Sequence, residues 1–310
     1  MAIRRPHKPP TVATEVFNIQ ASDYYPQYHV VPSDFAPDLM ISTARELDFT
    51  KYIESRLTDK WMDTSDNNAE NEGDYFHWDA EGGRIHTPLY PYTDYPIYYQ
   101  FRRAPGFMDV VTYTGENSAR TVSHNLGVAP ELIIVKGRDI TQHWAVYNGD
   151  LPGSGKFISL NNNWDGNNTN STFWNDTAPT ASAFTVGASN NYVNGSGSNY
   201  VAYLFASLDG ISKVGNYAGT GSNIDVDCGF AAGARFILIK RTDSTGDWYL
   251  WDAANGITSG NDPYMLLNST AAQVTNTDYI DPLNAGFTVN SGAPAALNAS
   301  GGTYLFLAIA

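Results

Sequence analysis

Residues able to do chemistry are thinly spread along this chain. Asp225 and Asp227 stand two apart on one face of an expected strand, where a carboxylate pair could hold a cation or flank a glycosidic bond. Two solvated turn or edge-strand acids account for them more simply. Asp139 and Asp243 each follow a strand-like run and precede a Thr/Ser/Gly turn, the place of an Asx-type turn cap. The six histidines include no i,i+4 pair and have no Cys-x-x-Cys neighbour, so zinc lacks a ligand set. The acidic run from Asp63 to Asp74 has oxygen ligands enough for calcium, but Gly73 comes too late for an EF-hand loop. A weak calcium site there is the one cofactor the residues leave open. There is no Gly-x-Ser-x-Gly elbow, P-loop or dinucleotide fingerprint. No catalytic residue is assigned, and the chain is expected not to be an enzyme.

Binding chemistry is better represented. Trp164 stands in Asn161 to Asn170, a stretch of amides, hydroxyls and one carboxylate without strand alternation. An indole among such groups suits a sugar: the ring stacks on its C–H face while Asn and Asp bond its hydroxyls. Trp164, Asn162 and Asp165, with Trp174, Tyr192 and Asn190 from the following loops, form the candidate receptor-binding set. The alternative is a loop that packs on a neighbouring subunit or its own sheet. The start, MAIRRPHKPP, is the only basic segment; its prolines favour an extended arm, and Arg4, Arg5 and Lys8 are the candidates for docking on an acidic neighbour.

The elements that position these residues are short. Leu132 to Val135, Trp144 to Tyr147, Phe157 to Leu160, Phe184 to Val186 and Tyr200 to Phe205 are β-branched or aromatic runs separated by Gly/Asn/Ser/Asp turns. One partial helical stripe runs over Arg45 to Met62. The chain also repeats itself. Pro130 to Asn148 aligns without a gap on Ala234 to Asp252, matching Lys136 with Lys240, Asp139 with Asp243 and Trp144 with Trp248. At the same spacing Asn194 to Phe205 matches Asn298 to Ile309, and Val110 to Gly115 matches Val214 to Gly219. A more diverged copy lies upstream, where Asp34 to Ile41 resembles Leu126 to Ile134 and Pro96 to Gly106 sits in the place of Tyr200 to Gly210. The expected organisation is an arm at 1–11, a divergent unit at 12–106, and two matching units at 107–209 and 210–310. The expected fold is all-β, with tandem antiparallel β-sandwich-like units, three copies in all. Trp144 and Trp248 are expected to be shared core residues.

Composition narrows the partners. The chain of 310 residues carries 18 Lys and Arg against 32 Asp and Glu, a net charge of -14, which disfavours nucleic acid and anionic membranes. No window is apolar enough for membrane insertion, and no secretory signal is read at the start. One cysteine, Cys228, excludes an internal disulfide framework and reads as a small buried hydrophobe. Charge is concentrated in residues 1–106, with 10 Lys and Arg and 16 Asp and Glu, against 8 and 16 in residues 107–310.

As a set, Pro130 to Asp139, Trp144 to Tyr147, Phe173 to Gly187, Asn194 to Ala206 and Gly215 to Gly221 resemble a β-rich repeat domain of tail-fibre-like structural proteins of tailed bacteriophages, often marine or cyanobacterial. The resemblance recurs in Ala234 to Asp252 and Asn298 to Ala308 and is faint over 12–106. It implies a virion protein of the tail or particle surface, made in the host cytoplasm. The implied partners are other virion proteins, further copies in a homotrimer, and a host-surface glycan or envelope component. No collagen-like tract, heptad stalk or long β-helix repeat is present, so a short spike or a purely structural virion component, such as a capsid decoration or tail or baseplate scaffold protein, stands as the alternative.

Overall fold

The computed structural model describes residues 8–22, 29–46, 48, 50–71, 76–78, 84–85, 96–151, 156–166, 170–188 and 190–310. Among the described residues the regular secondary structure is almost all antiparallel strand, joined by turns and loops. Three five-stranded antiparallel sheets share one strand order. In the second sheet the order is Met108–Thr114, Asn199–Phe205, Leu132–Gly137, Ala145–Asn148 and Ile158–Ser159. In the third it is Ser212–Ala218, Thr303–Ile309, Phe236–Arg241, Trp248–Asp252 and Met265–Leu266. The first sheet runs Phe17–Ala21, Pro96–Phe101, Leu39–Ala44, Tyr52–Ser55 and Trp61–Asp63. Register is shared as well as order: Leu39 faces Phe101, Leu132 faces Phe205, and Phe236 faces Ile309.

The central strands read as continuous apolar runs because both of their faces are covered. In Leu132–Gly137 every residue is buried. Leu132 and Ile134 join the largest core cluster, while Ile133 and Val135 face a separate one beneath the small sheet of Arg120–Ser123 and Ala183–Val186. The third unit has the same two-sided build, with a small sheet of Ile224–Asp227, Gly286–Val289 and Ile280–Leu283. Each small sheet puts one face to solvent, and Arg120–Ser123 and Ile224–Asp227 accordingly bury only alternate residues.

The largest cluster draws on all three five-stranded sheets. Phe101 of the first packs edge-on against Phe205 of the second at 5.9 Å and Phe236 of the third at 6.0 Å. The units are therefore not beads on a string, since their large sheets close in a ring around one core. Lys51, Trp144 and Trp248 occupy one place in the three sheets, immediately before the fourth strand in order or at its start. Each reaches the preceding unit in the ring. Trp144 donates its indole N–H to Asp63 O at 3.0 Å and Trp248 to Ser159 O at 2.9 Å. The Lys51 amine donates to Ser269 O and Ala271 O at 2.7 and 2.8 Å. The ion pair of Arg138 with Glu70, at 2.7 Å, adds to the first–second seam.

The partial helical stripe over Arg45 to Met62 forms no helix among the described residues; the segment supplies the strands Tyr52–Ser55 and Trp61–Asp63. Burial explains the difference: Tyr52–Ser55 is buried at every residue, so the segment needs cover on two faces and a helical stripe offers one. The helical content described is the 3-10 turn Ala13–Glu15 and the short helix Ala295–Asn298.

Candidate functional site

His143 precedes the strand Ala145–Asn148, and the amides that hold it come from just beyond the edge strand Ile158–Ser159. Asn161 Oδ1 accepts from the Trp144 N–H at 3.0 Å and from the Ser159 hydroxyl at 2.8 Å, which fixes the orientation of its amide. Its Nδ2 then donates to His143 Nδ1 at 2.9 Å, as does Asn162 Nδ2 at 2.9 Å. With Nδ1 accepting, the neutral ring carries its proton on Nε2.

Two half-buried rings flank this imidazole. Trp164 is tilted against it with centroids 4.9 Å apart, and Tyr192 stacks on it at 6.1 Å with 14° between planes. Tyr192 leans in turn on Phe173 at 5.3 Å, and Phe173 on Phe157 at 3.7 Å. The Trp164 loop is held from behind by the third unit: Gly246 N–H donates to Asn163 O at 3.0 Å, and Gly166 N–H to Thr242 O at 2.7 Å. A row of aromatic faces beside amide and imidazole groups can stack on an apolar ring face and bond its polar rim.

Of the residues singled out in sequence, Trp164, Tyr192 and Asn162 come together here. Trp174 does not, since it is 1% exposed and packs edge-on against Tyr147 in the core beneath the small sheet. Its Asn/Thr-rich setting gives no hint that the ring points inward. Asn190 is 5% exposed and structural, donating to Thr172 Oγ1 and accepting from the Tyr192 N–H, so it positions Tyr192 without presenting an amide of its own. Asp165 is half-buried and lies within electrostatic reach of the buried Lys240 amine, whose charged form it favours. Burial outweighs that and pushes the Lys240 amine down to about 8. Lys8 is exposed, while Arg4 and Arg5 lie outside the described residues.

His143 itself has the sequence signature of a turn residue. Its neighbour Trp144 is the signal, because the shared position fixes what stands beside it.

The acids resolve differently. Asp139 accepts from the N–H of Asn199, and Asp243 from that of Thr303 at 2.9 Å, so both cap the start of the next-to-edge strand across the sheet. Asp225 accepts from the Thr288 hydroxyl at 2.7 Å and Asp227 from the Gly229 N–H at 2.8 Å. Both line an open groove of about 450 Å³ with Glu131, Asp150 and Lys213. In the acidic run, Asp63 and Asp66 are engaged in turns with Ser65 and Asn68, and Glu70 pairs with Arg138; residues 72–75 lie outside the description. Among the described residues no group of three or more His, Cys, Asp or Glu could hold a metal ion. Cys228 is buried, and burial pushes its thiol up to about 12.

No curated protein matches the chain. A family model does match, over residues 98–310, from the last strand of the first unit through both matching units. The chain belongs to that family, described as a domain of unknown function (DUF7483).

Proposed function

We propose that this protein is a virion component of the tail-fibre or spike type that holds a host-surface glycan against His143, Trp164 and Tyr192. The observation that carries the reading is the imidazole locked by Asn161 and Asn162 between two half-exposed aromatic rings. A saccharide stacks its C–H face on Trp164 or Tyr192, and the His143 Nε2–H and Asn162 amide bond its hydroxyls. The rings are held in place before the ligand arrives, which lowers the entropy cost of binding. Single contacts of this kind are weak, and attachment works through avidity across the copies of a homotrimer. The charged residues 1–106, with Arg4, Arg5 and Lys8, dock on other virion proteins. The role is binding, not catalysis.

The test is adsorption competition. Purified protein added to host cells should block attachment of the particle, and Trp164→Ala or Tyr192→Ala should abolish the block while the protein stays folded. A wild-type protein that neither binds cells nor competes would leave only a structural role in the particle.

A further inference from the structure

A second aromatic surface stands at the matching place of the third unit. Tyr264 immediately precedes the edge strand Met265–Leu266, as Phe157 precedes Ile158–Ser159. Asp247 precedes Trp248 as His143 precedes Trp144. Asn268 Oδ1 accepts from the Trp248 N–H at 2.9 Å and its Nδ2 donates to Asp247 Oδ1 at 2.9 Å, repeating the arrangement of Asn161 with Trp144 and His143.

Around this shared frame the side chains differ. Tyr264 contacts Tyr249 at 5.1 Å, Trp251 at 5.7 Å and Tyr279 at 5.8 Å. Tyr264 and Tyr279 are half-buried, so their rings reach the surface. Beside these rings stands Asp247, whose Oδ1 is held by the Asn268 amide. The three tyrosine rings converge on Tyr264, which touches the other two; burial comes first in raising the Tyr249 phenol to about 12, and Tyr264, Asp247 and Tyr279 add to it. Burial likewise raises the Tyr264 phenol, with Tyr279 and Asp247 contributing.

The patch is braced from within. Buried Asp262 accepts from the N–H groups of Tyr279 and Ile280 through its carboxylate, and from the Trp251 indole through its backbone carbonyl at 3.3 Å. Tyr264 is tied by two backbone bonds to Val274, at 3.0 and 2.9 Å. Contacts of 5–6 Å between ring centroids leave no gap for a caged cation between the rings. What the patch offers is the half-exposed rings and hydroxyls of Tyr264 and Tyr279, backed by the buried Tyr249, with the Asp247 carboxylate beside them; hydroxyls donate and accept, and the carboxylate accepts. That combination matches a neutral sugar with adjacent hydroxyls.

We infer that Tyr249, Tyr264, Tyr279 and Asp247 form a second saccharide site, so that one chain binds two sugar units, one on each matching repeat. The inference rests on the saccharide reading of the Trp164 face for its ligand class, but the two sites use no residue in common.

Calorimetric titration of the full chain with four neutral probes, maltoheptaose, cellohexaose, chitotetraose and mannohexaose, tests it. At least one probe should bind with two equivalents per chain. Asp247→Asn with Tyr279→Phe removes one carboxylate charge and one hydroxyl without opening a cavity; it should weaken one equivalent at least tenfold and leave the other. Trp164→Ala should remove only the other. A stoichiometry of one that disappears with Trp164→Ala overturns the second site and leaves the first. A stoichiometry of one that survives Trp164→Ala and is lost in the double variant supports the second site and sinks the first. No binding of any probe overturns both.

Discussion

Trp144 and Trp248 occupy the same place in consecutive sheets, and each sends its indole N–H across a seam to a backbone carbonyl of the unit before it, Asp63 O and Ser159 O respectively. The repeated tryptophan is thus a core residue on one side and a staple between units on the other. Both rings are fully buried in the cluster shared by the three large sheets.

Trp248→Phe keeps most of the apolar ring and removes the donor. It should cost about 1–3 kcal/mol, the penalty for a buried carbonyl left unpaired, with Trp144→Phe in the same range. Urea unfolding followed by tyrosine fluorescence and by far-UV circular dichroism measures this. The transitions should stay single and coincident, because the core is common to all three sheets. A variant that loses only the third unit, in a separate early transition, contradicts the shared core.

Buried amines set the alkaline behaviour. Lys51, Lys136 and Lys240 are each pushed by burial from a usual 10.5 down to about 8. Between those values the unfolded chain binds more protons than the folded one, so stability rises with pH from about 8 towards 10. From about pH 9 an opposing trend sets in and by about pH 10 it prevails. Burial raises the Cys228 thiol from 9.0 to about 12 and holds the phenols of Tyr99, Tyr113 and Tyr217 well above their usual value, so the unfolded chain gives up those protons first. The urea midpoint, measured at half-unit steps from pH 7 to 11, should pass through a maximum. Lys51→Met should flatten the rising limb; an unchanged slope would show that Lys51 does not titrate with folding.

Gly115 and Gly219 stand at matching places after the first strands of the second and third sheets. A Cβ would lie 2.2 Å from Gly195 O in one case and 2.2 Å from Ala299 O in the other. The obstacle is backbone, which cannot rotate away, so Gly115→Ala and Gly219→Ala should each destabilise by about 1–3 kcal/mol or more. Thermal melts of both variants check the pair. A loss confined to one of them would mean that the two close approaches are not equivalent.

Strand positions, the paired lysines Lys136 and Lys240 and the shared tryptophan are legible in the sequence because they are local or repeat at fixed spacing. The closed ring is not. It depends on contacts such as Phe101 with Phe236 and Tyr99 with Asp252, whose partners are far apart in the chain and differ from unit to unit. The first unit is hard to align for a related reason: Lys51 stands where the others have tryptophan, and does the same bridging with an ammonium group. In the candidate site, Trp164 and Tyr192 are legible as aromatics in polar loops. Trp174, in an equally polar loop, turns into the core, and only burial distinguishes the two. His143 is invisible until Asn161 and Asn162 are brought to it by the edge strand.

A ring made of three identical chains must change all of its faces whenever one residue mutates. Here the three sheets belong to one polypeptide, and each face can drift alone. The position before the shared tryptophan has become histidine in one unit and aspartate in the next, and the aromatic at the edge strand is Trp61, Phe157 or Tyr264. Covalent linkage thus gives a repeated scaffold separately tunable sides, and a substitution on one side need not disturb the others.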